Sequence, residues 1–250
     1  MLTIYAAKTD ELKDKLLFDN LYHAVPQYRQ QKIDRMRFDK DKRLSLGAGL
    51  LLKYALHQAN IDENSIHIDY SPNKKPHIRE YPEFHFNLSH SESCVVCAVS
   101  NCETGCDVEK VTAIDWDIAQ KYFSASEYEM IINQPNPVDK IDMFFRLWTL
   151  KESYIKATGL GIELAMDCFA IRMENDKIWA DCNIIDKHYT FYEFDIFPDY
   201  KCAACVKSAS MDVSVNVCHF SPSTTTKHLS CASEPKSLLH ISTADCRRDN

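Results

Sequence analysis

The chain passes twice through one order of patterns, helical periods followed by strand-like runs, and that doubled order constrains its fold more than any other feature. A short apolar run over 2–6 reads as a strand, and apolar spacings of three and four predict helices over 10–18, 27–37 and 41–60. Strand-like runs come next over 65–70, 83–88, 94–100 and 105–109, separated by the turn-forming SPNKKP and SHSES. The second pass predicts helices over 115–122, 126–133 and 138–158, then strands over 168–173, 189–197, 201–207 and 212–219. The runs CVVCAVS and CAACVKS would be matching late strands of the two passes. The expectation is an α+β fold of two similar α/β subdomains related by pseudo-twofold symmetry, residues 1–103 and 104–220. From 221 to 250 the chain is rich in Ser and Thr, lacks Gly and has no sustained period, so a largely disordered tail is expected there.

Several function classes fall away on charge and hydropathy. The apolar stretch Leu44 to Leu52 stops at Lys53, at about half of the ~20 residues a spanning helix needs. Residues 1–20 hold no uninterrupted apolar core, so no signal peptide is read and a cytoplasmic protein without membrane association is expected. Twenty-nine Lys and Arg against 36 Asp and Glu leave a net charge of −7, which argues against a general nucleic-acid binder. Locally the balance inverts. Between 27 and 53 lie Arg29, Lys32, Arg35, Arg37, Lys40, Lys42, Arg43 and Lys53 against Asp34, Asp39 and Asp41, a region able to meet a small anion.

Eleven cysteines in a chain without an export signal read as thiols. The spacings Cys94/Cys97 and Cys202/Cys205 also permit a zinc-stabilised interaction scaffold. Both pairs, however, sit in apolar strand-like runs and not on the tight Gly-rich turns of zinc knuckles.

Four short stretches could carry chemistry. In GCDVEK, Asp107 and Glu109 stand two apart, and the period of a strand aims both carboxylates at one face, which is half of a hard-metal site or merely a solvated edge. In LWTLKESYIK, Glu152 and Lys156 are one helical turn apart, either a surface ion pair or, with Phe144, Phe145, Leu147, Trp148 and Tyr154 around them, groups facing a site. FNLSHS ends a strand in Ser89 and His90, able to hold phosphate oxygens. No nucleophile elbow accompanies them, so a serine hydrolase is disfavoured. Lys74, Lys75 and Pro76 form a cationic turn.

Taken in order, KKP, FNLSHS, GCDVEK and LWTLKESYIK resemble phosphopantetheinyl transferases of the surfactin-synthetase-activating (Sfp-like) type. That family shows GKP, FNxSHS, (V/I)GxDxE and (F/W)xxKE(A/S)xxK. The resemblance runs from Leu2 to about His219 and includes an FSxxEY-like stretch over 123–128. It implies transfer of the phosphopantetheine arm of coenzyme A to a serine of an apo acyl or peptidyl carrier protein, with Mg²⁺, releasing adenosine 3′,5′-bisphosphate. Fatty-acid, polyketide and peptide-synthetase carriers all qualify as partners.

By the same resemblance Asp107, Glu109 and Glu152 surround the metal, Glu152 is the general base, and Lys156 neutralises the departing phosphate while contacting coenzyme A. Arg43, Lys75, Pro76, Ser89 and His90 match the family's coenzyme A contacts, in the first subdomain. Arg29, Lys32 and Arg35 are candidates for its 3′-phosphate. Residues 111–123 would receive the carrier on the second subdomain. Two positions depart from the pattern: Lys74 and Glu92 stand where the family has glycine. All groups lie in one polypeptide, so an active monomer is expected, unlike the small trimeric carrier-protein synthases. An inactive carrier-binding relative is the further alternative, and retention of Asp107, Glu109, Glu152 and Lys156 argues against it.

Overall fold

The computed structural model describes residues 1–220 apart from 176, 186 and 187, together with the backbone of 229–233 and 238–241. Strand β1 (Leu2–Lys8) leads into helices α1 (Lys15–Tyr22), α2 (Gln27–Asp34) and α3 (Asp39–Gln58). A small hairpin, β2 (Ile68–Tyr70) and β3 (Pro76–Ile78), precedes β4 (His85–Ser91), β5 (Cys94–Ser100) and β6 (Thr104–Lys110). Helices α4 (Trp116–Tyr122), α5 (Ala125–Ile132) and α6 (Pro137–Thr158) come after them. The chain continues through β7 (Ala170–Glu174), β8 (Lys177–Asp181), β9 (Thr190–Phe194), β10 (Tyr200–Val206), β11 (Val213–Phe220), β12 (Leu229–Ser233) and β13 (Leu238–Ile241). No described helix is long and apolar enough to cross a membrane.

The fold is α+β, with two principal sheets ordered β12-β11-β1-β5-β4 and β13-β9-β10-β6. In each, a CxxC strand lies between two antiparallel neighbours: β5 between β1 and β4, β10 between β9 and β6. A long helix packs on each sheet, α3 against β5 and α6 against β6 and β10.

Strand alternation sorts the side chains into three cores. Tyr5, Ala7, Val95 and Cys97 join Leu46, Leu50 and Leu51 beneath α3. Ala203 and Cys205 join Leu147, Leu150 and Tyr154 beneath α6. The intervening positions, Leu2, Ile4, Ala6, Cys94 and Val96 from one sheet with Cys106, Val108, Cys202 and Ala204 from the other, form a shared core that binds the sheets face to face. A fully buried Leu or Ile contributes about 1.5–3 kcal/mol here.

The same alternation explains the cysteines. Cys94 faces the shared core and Cys97 the α3 side, and Cys202 and Cys205 divide likewise. Residues three apart on a strand point to opposite faces, so neither CxxC can close on one zinc ion. All four are free, buried thiols, and burial raises each above the ordinary thiol range. Among the described residues Cys218 departs from the all-thiol expectation, being joined in a disulfide.

Two expectations need correction. The strand over 212–219, assigned to the second subdomain, is β11 of the first sheet and runs parallel to β1 from Leu2↔Val213 to Ala7↔Cys218. Its Val215 and Val217 enter the shared core while Cys218 and Phe220 reach the α3 side. Within 221–250, where composition predicts disorder, β12 pairs with β11 and β13 with β9. Edge strands offer unpaired backbone groups to any segment that can extend, and that demand is independent of side-chain composition. The rest of that segment lies outside the described residues.

Candidate active site

The site forms where β4 and β6 meet below α6. Helix α6 is well delimited: Asn136 accepts the Asp139 amide at 3.0 Å, Pro137 occupies the first turn, and Gly159 turns left-handed at φ 71° beyond the last residue. One stripe of the helix, Phe144, Leu147, Leu150, Lys151 and Tyr154, is buried. The adjoining stripe, Trp148, Glu152, Ile155 and Lys156, lines a cavity of about 780 Å³ whose other walls include Lys75, Pro76, Asn87, Tyr122, Ile162 and Met166.

Gly105 sets the distance between strand and helix. A Cβ there would stand 2.2 Å from the Ser153 carbonyl oxygen and 2.3 Å from the Ala157 nitrogen, so only glycine lets the two main chains approach. Two residues on, Asp107 is buried, and its Oδ1 accepts from Lys156 Nζ at 2.6 Å and from Ser89 Oγ at 2.8 Å. Lys156 also donates to Ser89 Oγ at 3.1 Å and pairs with Glu152 at 4.0 Å.

Strand β4 reads β6 in step. Asn87 accepts the Cys106 amide at 2.9 Å, Ser89 binds Asp107, and Ser91 donates to Glu109 Oε2 at 2.6 Å while accepting the Lys110 amide. Alternation in FNLSHS delivers 87, 89 and 91 to this seam, a signal present in the sequence but unused for Asn87 and Ser91.

The electrostatics are those of a reactive cluster. Burial, with Asp107 and Glu152 nearby, pushes Glu109 up to about 7 despite the Ser91 bond. Burial also raises Glu152, opposed by Lys156 and reinforced by Asp107. Burial works against the Lys156 charge, yet Asp107 and Glu152 hold the ammonium above its ordinary range. Carboxyls shifted toward neutrality beside a retained cation suit proton transfer.

Asp107 Oδ2 is buried without a hydrogen-bond partner, and such an atom calls for a ligand. Three carboxylates with no thiolate or imidazole among them suit a hard cation. Among the described residues no group of three or more His, Cys, Asp or Glu side chains is already drawn together as a metal would hold it. Mg²⁺ completes its shell with water and substrate phosphate, so the carboxylates would not have to supply a full set of ligands by themselves.

The remaining expected residues are spread more widely. Pro76 lines the cavity. Lys75 lines it too, but its ammonium donates to the Thr104 carbonyl at 3.0 Å and the Ala157 carbonyl at 2.8 Å. His90 is exposed on β4, and partial burial of its ring, then Lys156 and Lys32, lower it below the ordinary histidine range. Arg43 lines a different depression, with Leu12, Phe18 and Asp39, and not the cavity of Glu152. Arg29 is buried against Gly49 of α3, whereas Lys32 and Arg35 are exposed.

The two departures from the family's glycines both lie in backbone of the kind glycine favours. Lys74 has φ 62° and Glu92 φ 53°, both in the left-handed region that glycine favours. Glu92 is tied to Lys40 at 2.8 Å, which offsets its negative charge beside SHS.

Sequence reasoning gave no role to Lys151 or Glu127. Both are fully buried: Lys151 donates to Glu127 Oε1 and Oε2, each at 2.8 Å, and to the Phe169 carbonyl at 2.7 Å. Glu127 further accepts from the Ser124 and Ile171 amides, completing a capping box on α5. The FSxxEY-like stretch was the available signal.

A strand pair of carboxylates, a glycine at the helix contact and a lysine one turn beyond a glutamate make up the cluster, and comparison with known proteins shows the family of the chain. The model of the 4′-phosphopantetheinyl transferase superfamily matches residues 103–205, and that of the 4′-phosphopantetheinyl transferase N-terminal region matches 14–102. The chain belongs to the 4′-phosphopantetheinyl transferase family, is of the Sfp type, and is a transferase of that class. It is 32% identical to 4′-phosphopantetheinyl transferase psf-1 of Bacillus pumilus over 225 residues, covering 87% of this chain and 96% of that one. With the gsp transferase of Aneurinibacillus migulanus it shares 33% over 206 residues, covering 82% and 86%. With Sfp of Bacillus subtilis strain 168 the figures are 31% over 180 residues, 71% and 80%.

Proposed function

We propose that this chain transfers the 4′-phosphopantetheine arm of coenzyme A to a serine of an apo acyl or peptidyl carrier protein, with Mg²⁺ held by Asp107, Glu109 and Glu152. The observation that carries the reading is the Asp107 carboxylate, buried, bound on one oxygen by Lys156 and Ser89 and unpartnered on the other. Bound there, Mg²⁺ supplies charge neutralisation to the pyrophosphate oxygens.

The chain's own groups do the rest. Glu152, its carboxyl raised by burial, takes the proton of the carrier serine as that oxygen bonds to the pantetheine-side phosphorus. The bond from that phosphorus to the bridging oxygen breaks, and adenosine 3′,5′-bisphosphate leaves with the oxygen and its electron pair. Lys156 faces the same cavity and offsets the leaving charge. Ser89 orients both Lys156 and Asp107. Pro76 shapes the adenine end and His90 meets a phosphate from the first sheet, while Arg43, which lines a separate depression, is given no such contact.

The carrier is received beside the cavity on α4, where Trp116, Ile118 and Tyr122 are exposed. Because β4, β6 and α6 of one polypeptide supply Ser89, the three carboxylates and Lys156, the enzyme is taken to act as a monomer, and its compartment as the cytoplasm. A merely carrier-binding relative has no use for a carboxylate left with an open, buried oxygen.

Mass spectrometry of a panel of apo carriers incubated with coenzyme A and Mg²⁺ tests this. The expected result is one phosphopantetheine added per carrier by the wild type, with the rate reduced roughly 10²–10⁴-fold in Glu152→Gln. Unchanged turnover in that variant would remove Glu152 as base.

A further inference from the structure

The geometry points to Lys75 as a positioning residue that fastens the start of β6 to the end of α6, rather than as a contact for coenzyme A phosphate. The inference rests on the transferase function proposed for this site. Lys75 springs from the β2–β3 turn, and that turn is rigidly made. Lys74 is left-handed, the Lys74 amide binds the Ser71 carbonyl at 2.8 Å, and Ser71 and Lys75 exchange two further bonds, at 2.9 and 3.1 Å.

From this root the side chain crosses to the second sheet. Its ammonium binds the carbonyls of Thr104, the first residue of β6, and Ala157, in the last turn of α6. Carbonyls of a final helical turn lack intrahelical donors and carry partial negative charge, so a cation is well matched to Ala157. The stem runs past Gly159, where a Cβ would stand 3.4 Å from Lys75 Cδ. A second tie from the same turn, Asn73 Nδ2 to Glu163 at 3.2 Å, also crosses between the halves.

Both carbonyls are close neighbours of the acid cluster along the chain. Ala157 directly succeeds Lys156, and Thr104 directly precedes Gly105, three residues before Asp107. One ammonium therefore holds together the ends of the two elements that carry the acid cluster. Burial lowers this lysine to about 8, so near neutral pH it still carries its charge most of the time, and two of its N–H groups are taken by the two carbonyls.

Two measurements separate the roles. In the first, wild type, Lys75→Arg and Lys75→Met are assayed on one apo carrier with coenzyme A and with 3′-dephospho-coenzyme A. A positioning role predicts that Lys75→Met loses kcat by tenfold or more, equally for both donors, with KM for the donor unchanged within about twofold and partial recovery in Lys75→Arg. A raised KM for coenzyme A at unchanged kcat, with KM for the dephospho donor unaffected, would overturn it.

The second measurement needs no variant. Wild-type enzyme is acetylated with acetic anhydride, and Lys75 is read by mass spectrometry with and without saturating adenosine 3′,5′-bisphosphate. Labelling much slower than that of exposed Lys74 in both arms agrees with the clasp, and rapid labelling that the nucleotide abolishes overturns it. A wild type that modifies no carrier would defeat the transferase reading, which the footprint does not depend on.

Discussion

Helix α6 carries two lysine–carboxylate pairs about one and a half turns apart, and they could hardly differ more in use. Lys151 and Glu127 are fully buried, and each has its hydrogen-bonding capacity filled by the other and by main-chain groups. Lys156 and Asp107 are as close, at 2.6 Å, but the lysine is a quarter exposed to the cavity and Asp107 Oδ2 has no partner. A saturated pair has nothing left to offer a ligand and serves as a fixed joint. An unsaturated one keeps a binding position open at the cost of a desolvated oxygen.

Removing one partner from each pair puts this contrast under the greatest load. Lys151→Met should destabilise the fold by about 3–5 kcal/mol, because Glu127 is left charged and buried, and the double variant with Glu127→Leu should recover most of that loss. Urea unfolding reads both numbers. Asp107→Ala should shift the urea midpoint far less yet reduce turnover at least ~10²-fold, since the loss falls on charge stabilisation in the reaction. An Asp107→Ala enzyme with wild-type turnover at saturating Mg²⁺ would erase the distinction.

Acid–base behaviour tests the open cluster through its neighbouring carboxyl, Glu109. Glu109 is raised to about 7, so the folded chain holds a proton that the unfolded chain releases above about 4.5. Its stabilising effect is fully present below pH 4.5 and is lost as pH rises toward 7. Metal-free protein should therefore melt at progressively lower temperature across that window, and Glu109→Gln should flatten the slope. Added Mg²⁺ should restore the melting temperature near pH 7, where the ligand is ionised. A melting curve indifferent to pH in the metal-free wild type would show that Glu109 is not the strained member of the open cluster.

The smallest effects belong to the turns that frame the open pair. Lys74 and Glu92 occupy left-handed backbone at roughly 1–2 kcal/mol per residue, partly offset by the greater freedom glycine has when unfolded. Lys74→Gly and Glu92→Gly should each stabilise by up to ~1 kcal/mol in urea titrations, although Glu92→Gly also gives up an exposed pair with Lys40. Destabilisation by either would mean that the side chain matters there more than the backbone.

The acid cluster was legible in the sequence because its geometry is local. Period two puts Asp107 and Glu109 on one strand face, and a four-residue step stacks Glu152 on Lys156. The features that escaped sequence reasoning depend on contacts between distant segments. That Lys75 ends on Thr104 and Ala157 is decided by a turn, a strand start and a helix end far apart in the chain. β11 alternates like any strand, so nothing in its own residues says which sheet it joins, and its parallel pairing with β1 is set by the shared core. The composition of 221–250 described side-chain burial and was silent on the backbone demand of two open sheet edges. CxxC spacing misleads for a related reason, since its meaning reverses once both cysteines lie on a strand.

The contact at Gly105 bears on how this enzyme could be reshaped. Where two backbones touch with no side chain between them, there is no soft material to absorb a substitution, and any added atom is transmitted directly to the acids on either side. The cavity wall opposite is different: Ile162 is almost wholly exposed, and Met166 is flexible and can repack. Libraries meant to broaden the donors this chain accepts should vary that wall and leave the strand–helix contact untouched.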